Sequence, residues 1–143
     1  MKTYSTKASD LKPQWHVFDA SEKTLGRLAT EIAHLLQGKH KVNYSRHLLS
    51  GDYVIVTNAK KIRVTGNNKE QQKIYYSHSQ YPSGLKEVPL SRMRERHPDR
   101  IIRFAVRGML PKTILGRQML KRLKVYAGES HPHEAQINGQ TQS

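Results

Sequence analysis

Arg100, Arg103 and Arg107 fall three and four residues apart, the spacing that lines side chains along one face of a helix. Arg117, Lys121 and Lys124 repeat the pattern a few residues later. Rows of permanent cations neutralise phosphates, and on a nucleic acid they release condensed counterions. Between the rows runs Val106-Arg107-Gly108-Met109-Leu110-Pro111-Lys112, with Leu115-Gly116-Arg117 just behind it, a turn punctuated by Gly and Pro. From Lys86 to Lys124 twelve Lys or Arg stand against three acids, Glu87, Glu95 and Asp99, which is most of the chain's net charge of +14. A charged face is ordinarily just solvated. Here few acids are interspersed and the design recurs on two helices, so self-repulsion opposes compactness unless a polyanion relieves it. Lys112, in the turn, joins the candidate phosphate contacts.

A second cationic group, Lys39, Lys41 and Arg46, lies in a loop with His40, Asn43, Tyr44 and His47. Such a mixture can hold phosphates and stack on unpaired bases, although an ordinary polar loop accounts for it equally well. Tyr75, Tyr76, His78 and Tyr81 also invite stacking, but Tyr75 and Tyr76 must point to opposite faces of a strand, so at least one belongs to the core.

Other chemistry is poorly supplied. His131-Pro132-His133 and Glu134 superficially resemble metal ligands but have no other His or Cys close in sequence, so no metal and no cofactor is expected. Thr24-Leu25-Gly26-Arg27 opens a helix after a strand, a place where α/β folds hold phosphates, but there is no GxGxxG and no P-loop motif. Among Asp10, Asp19, Asp52, Asp99 and seven scattered Glu, no pair is spaced for acid/base or two-metal catalysis. Asp19 and Asp52 fall near strand ends, which leaves an RNA-processing or nucleotide-dependent enzyme as the alternative reading.

The elements that position these residues follow from periodicity. Trp15–Asp19 reads as a strand. Leu25, Leu28, Ala29, Ile32, Leu35 and Leu36 mark one face of a helix that stops at Gly38. Tyr53–Thr57 is apolar without alternation, as in a parallel strand buried on both faces. Ile62 and Val64 suit a further short segment, Lys73–Ser77 a third strand, and residues 81–84 a loop. A short helix is expected over 90–96. Pro98 then opens the next helix, with Asp99 favourable at its N-terminal dipole. The following helix carries Leu115, Met119, Leu120 and Leu123 opposite its basic row, and Val125-Tyr126-Ala127 closes with a short strand.

Across its 143 residues the expected organisation is an N-terminal arm (1–14), one α/β domain (15–128) and an extended or disordered tail (129–143). The absence of cysteine excludes disulfides and thiolate zinc sites. No apolar run is long enough to span a membrane, and the first residues lack a signal-peptide core, so a soluble, intracellular protein is expected.

An ordered series of motifs goes further. Thr24-Leu25-Gly26-Arg27-Leu28-Ala29, Gly38-Lys39-His40-Lys41, Gly51-Asp52-Tyr53-Val54-Ile55-Val56, Asn58-Ala59, Val64-Thr65-Gly66 and Tyr81-Pro82-Ser83-Gly84-Leu85-Lys86 come first. Ala105 through Lys112, Leu115-Gly116-Arg117, Leu123 through Gly128 and His131-Pro132-His133 follow. In this order, from about Trp15 to Gln136, the chain resembles the bacterial-type large-subunit ribosomal protein L-thirteen family. The turn 67–72 and the tail after Gln136 depart from the pattern. The resemblance implies a three-layer α/β/α fold around a four-stranded, mainly parallel sheet, with basic C-terminal helices and extended terminal arms. It implies a non-enzymatic partner of large-subunit ribosomal RNA and of neighbouring large-subunit proteins, active in early subunit assembly, with no membrane and no small-molecule substrate. The expected location is the cytoplasmic ribosome of a bacterium, or the ribosome of a plastid. The expected RNA contacts are Lys39, Lys41, Arg46, Arg100, Arg103, Arg107, Lys112, Arg117, Lys121 and Lys124.

Overall fold

The computed structural model of the protein describes residues 3–141. In chain order it contains β1 (Trp15–Asp19), α1 (Leu25–Gln37), β2 (Tyr53–Thr57), α2 (Lys69–Gln72), β3 (Ile74–His78), β4 (Leu85–Pro89), α3 (Leu90–Arg96), α4 (Pro98–Met109), α5 (Ile114–Lys121), β5 (Leu123–Val125) and α6 (Glu134–Thr141). β2 is the centre of a parallel sheet ordered β1-β2-β5, with Trp15 opposite Tyr53 and Val54 opposite Leu123. Because successive side chains alternate faces, Phe18, Val54, Val56, Leu123 and Val125 point to one side. There they join the core made by α1 and α4. Ile55 is fully buried on the other side, so β2 is covered on both faces as its unbroken apolar run requires.

α1 forms because Leu25, Leu28, Ala29, Ile32, Ala33 and Leu36 fall on one stripe, all buried. Each of its Leu and Ile side chains contributes roughly 1.5–3 kcal/mol when fully buried. The helix ends at Gly38, whose φ of 77° is left-handed and whose N–H donates to the carbonyls of His34 and Leu35. The opposing stripe on α4 is Ile101, Ile102 and Val106. Pro98 occupies the first turn of that helix with Asp99 beside it, as its sequence indicated.

Three expectations need correction. The first is the four-stranded sheet: among the described residues, the parallel sheet has three strands. After β2, Asn58 adopts a left-handed conformation and Ala59–Lys61 form a 3-10 turn, so the chain leaves the sheet direction. Ile62–Val64 then makes a single parallel bridge, Thr24 with Arg63. The Arg94 guanidinium donates to the carbonyls of Lys60 (3.0 Å) and Ile62 (2.5 Å) beside this bridge. The third strand lies elsewhere: β3 pairs antiparallel with β4 in a separate hairpin, and β4 falls just after the loop read over 81–84. Tyr75 packs against the core and Tyr76 is exposed, as their opposite directions demand.

Second, α5 ends at Lys121 and Lys124 lies in β5. Leu123 and Val125 pair beside Val54 and Val56, so the two-residue period of the core overrides the continued helical spacing of the cations.

Third, the tail is not extended throughout. His133 stacks on Trp15 with centroids 5.4 Å apart, and Trp15 stacks on Tyr53 at 4.4 Å. Tyr126 Oη and His133 Nε2 are 2.7 Å apart, and α6 then packs on β1. Aromatic burial compensates the ordering entropy of an otherwise polar segment.

Candidate nucleic-acid interface

The apolar stripe of α4 fixes what its other face presents. With Ile101, Ile102 and Val106 buried, Arg100, Arg103 and Arg107 are exposed. The connection to α5 is set by two local features. Thr113 caps α5, its Oγ1 accepting the Gly116 N–H at 3.3 Å, and Gly116 lies so close to the Pro111 carbonyl that a Cβ there would overlap it. Met119 anchors α5 to the core, which leaves Arg117 and Lys121 on the surface next to exposed Lys112.

These cations enclose a groove of about 890 Å³ between α4, the Leu110–Thr113 connection, α5 and β5. Phe104, Leu110, Pro111, Leu120 and Leu123 contribute its apolar surface, and Arg103, Arg107, Lys112, Arg117, Lys121 and Lys124 its charge. The volume would suit a small molecule, but six cations and no carboxylate line it. A second groove, of about 740 Å³, adjoins through Pro111, Lys112 and Arg117 and brings in Lys39, Tyr44 and Arg46 from the loop after α1. Lys39 and Arg46 therefore meet the α5 cations across a shared surface despite more than sixty intervening residues. Arg100 lines neither groove. Among the described residues, no carboxylate lies within ion-pair distance of Lys39, Arg46, Arg100, Arg103, Arg107, Lys112, Arg117, Lys121 or Lys124; the ion pairs use other residues.

Lys41 is the exception. Its ammonium pairs with Asp52 Oδ1 and donates to the Lys12 carbonyl at 2.9 Å. Asp52 is fully buried; its Oδ1 also accepts the Gln14 N–H at 2.9 Å, and its Oδ2 lies 2.9 Å from both His16 Nε2 and His40 Nε2. Burial pushes this carboxyl up, but the hydrogen bonds from Lys41, Gln14 and His16 and the Lys41 charge outweigh it and hold the group below its ordinary value. Lys41 thus neutralises the interior rather than adding to the exposed face.

The alternative catalytic carboxylates are likewise engaged. Asp19 Oδ1 accepts the Ser21 N–H at 2.8 Å and its hydroxyl at 2.7 Å, while Oδ2 accepts Asn58 Nδ2 at 2.9 Å. Those bonds, the Ser21 backbone first, hold its pKa down. At the start of α1 the Leu25 N–H already donates to the Arg63 carbonyl, one less donor for a phosphate. His131 and His133 stack on each other, the His133 N–H donates to His131 Nδ1 at 3.3 Å, and His133 Nε2 lies 2.7 Å from Tyr126 Oη.

Sequence reasoning missed Phe104 and Ile114 as groove residues, whereas Tyr44, named in the cationic loop, does line the second groove. Phe104 carried a signal, an aromatic beside Arg103 outside the apolar stripe. It also missed that Arg94 and Arg122, counted among the cations, serve packing: Arg94 pairs with Glu70 at 2.6 Å, and Arg122 donates to the Gly51 carbonyl with its guanidinium 5.0 Å from the Tyr53 ring.

The fold and this surface define an α/β protein with a cationic face built on two C-terminal helices and a distant loop. A family profile described as Ribosomal protein L13 matches residues 13–132, and the chain belongs to that family. It is 57% identical to the large ribosomal subunit protein uL13 of Roseiflexus sp. (strain RS-1) over 95% of this chain and 92% of that protein. It is 57% identical to the uL13 of Methylococcus capsulatus over 95% of each chain. It is 58% identical to that of Herpetosiphon aurantiacus over 95% of this chain and 94% of the relative.

Proposed function

We propose that this protein is a structural constituent of the large ribosomal subunit that binds large-subunit ribosomal RNA and supports early subunit assembly and translation. The observation that carries the reading is the pair of adjoining grooves in which Lys39, Arg46, Arg103, Arg107, Lys112, Arg117, Lys121 and Lys124 meet without a carboxylate partner. Arg100 extends the row along α4. Most of these residues contact phosphate and sugar and set the orientation of the protein; specificity comes from RNA shape and a few loop contacts. Lys41 contributes by holding the loop that carries Lys39 and Arg46.

The α/β body, residues 15–128, positions these groups, and the terminal segments meet RNA and neighbouring large-subunit proteins. The family and its bacterial relatives support a cytoplasmic ribosome as the location, and a plastid ribosome fits the same chemistry. No described helix is long and apolar enough to cross a membrane. The role is non-catalytic. An RNA-processing enzyme on the same sheet would need Asp19 or Asp52, whose oxygens are already hydrogen-bonded.

The test is binding of the purified protein to large-subunit ribosomal RNA, competed with small-subunit RNA and duplex DNA across a salt series. Selective binding that persists at physiological salt is expected. Equal, salt-fragile binding to all three polyanions would overturn the assignment.

A further inference from the structure

Three segments far apart in sequence converge on one carboxylate oxygen. His16 comes from β1, His40 from the loop after α1, and Asp52 from the residue preceding β2. Their candidate ligand atoms lie within 4.8 Å of one another, with both Nε2 atoms 2.9 Å from Asp52 Oδ2. We propose that His16, His40 and Asp52 form a binding site for one divalent transition-metal ion, with Zn²⁺ the fitting occupant.

The donor set argues for the class of ion. Two imidazole nitrogens and one carboxylate oxygen suit Zn²⁺ and its first-row neighbours, whereas Mg²⁺ takes oxygen donors and keeps its waters. Ligand distances of about 2.0–2.1 Å in a tetrahedron put donor atoms about 3.3 Å apart. The 2.9 Å separations therefore need to open by a few tenths of an ångström. Both imidazoles are partly exposed, with side-chain accessibilities of 30% for His16 and 36% for His40, so they can rotate outward.

The carboxylate is arranged for the task. Lys41 and the Gln14 N–H both take Oδ1, which leaves Oδ2 to the imidazoles. Without an ion, His16 donates Nε2–H to Oδ2 and His40 Nε2 lies at the same 2.9 Å; with one, each ring carries its proton on Nδ1 and turns the Nε2 lone pair to the metal. Lys41 opposes a second positive charge nearby, so the affinity falls below that of a closed structural zinc site. Three protein ligands leave a fourth position open on the exposed side of the two imidazoles.

The consequence is mechanical. An ion here ties β1 and the start of β2 to the loop that also carries Lys39 and Arg46, so it would order that loop with no RNA present.

The full-length, RNA-free protein is titrated with Zn²⁺ by calorimetry and with Co²⁺ by visible absorption, alongside His16→Ala, His40→Ala and a His131→Ala control. Circular dichroism checks that each variant is folded. The wild type and His131→Ala should bind one equivalent, with the intensified Co²⁺ bands of a low-coordinate nitrogen/oxygen site. His40→Ala and His16→Ala should bind about 100-fold more weakly or worse, since loss of even a second-shell partner costs about 10–100-fold. Because His40 lies in an exposed loop, that variant keeps the test decisive if His16→Ala fails to fold. Absence of wild-type binding at micromolar Zn²⁺ overturns the proposal. So does binding that survives in His40→Ala or disappears in His131→Ala. Every readout is independent of RNA, so the ribosomal assignment stands or falls separately.

Discussion

The carbonyl of Pro111 fills the space into which a side chain at Gly116 would project. This contact presses the first turn of α5 against the end of the Leu110–Thr113 connection and brings Lys112 and Arg117 onto both grooves. Gly116→Ala should therefore destabilise the fold by about 1–3 kcal/mol, the usual cost of overpacking. It should also weaken RNA binding, although no charge changes. Urea unfolding and RNA titration of the same preparation test both. Unchanged stability together with unchanged affinity would show that the connection adapts freely and that its geometry is not what aligns the cations.

Lys39 and Lys41 are two residues apart and look alike in sequence, but the structure gives them opposite work. Lys39 is exposed in the second groove; Lys41 pairs with buried Asp52. Lys39→Ala should leave stability within about 0.5 kcal/mol, as for most surface changes, and weaken RNA binding. Lys41→Ala should cost about 3 kcal/mol, because it removes the ammonium partner of a buried carboxylate. Unfolding midpoints decide the matter: similar values for the two variants would contradict the assignment of Lys41 to the interior.

The same buried carboxylate predicts a pH dependence. Asp52 is held below its ordinary value of 3.8, so the folded state binds its proton more weakly than the unfolded chain does. The resulting stabilisation is complete above the unfolded value and is lost as the pH falls from about 4 through the lowered folded value. Asp19, lowered by the Ser21 bonds, acts in the same direction. Urea midpoints measured from pH 7 to pH 3 should stay level with respect to these groups and then drop below about pH 4. In Lys41→Met, where the chief lowering partner of Asp52 is gone, the acid drop should be shallower. An identical drop in the two proteins would remove Asp52 as its source.

Strong local periodicity explains what could be read in advance. α1 and α4 have apolar stripes long enough to define the buried face, and β2 has an apolar run too continuous for a one-sided strand. The cations of α4 and α5 were legible for the same reason, being the complement of those stripes. The sheet order was not, because Ile62–Val64 has strand-forming residues but follows a left-handed Asn58 and a 3-10 turn and makes only a single bridge, Thr24 with Arg63. Lys124 was misplaced because three- and four-residue spacing continued past the point where Leu123 and Val125 joined the sheet. The function of Lys41 depended on Asp52 being buried, and the convergence of His16, His40 and Asp52 depended on the register of β1 with β2. Such facts arise from tertiary contact and leave no periodic trace.

Each phosphate neutralised by a groove cation should appear in the salt dependence of binding. For Arg107→Ala and Lys121→Ala, both exposed in the first groove, the slope of log affinity against log salt should fall by roughly 0.7–0.9 per lost contact. Arg94→Ala supplies the contrast. Its guanidinium bonds to Glu70 and to the carbonyls of Lys60 and Ile62, so its removal should lower stability while leaving the slope of the folded protein unchanged. Arg100→Ala separates the grooves from the helix face as a whole. If the RNA follows α4 beyond the first groove, this variant loses the same increment as Arg107→Ala; if the grooves alone hold the phosphates, its slope matches the wild type. Equal reductions for Arg107→Ala and Arg94→Ala would mean that the slope tracks net charge rather than contacts, and that the carboxylate-free grooves do not direct the RNA.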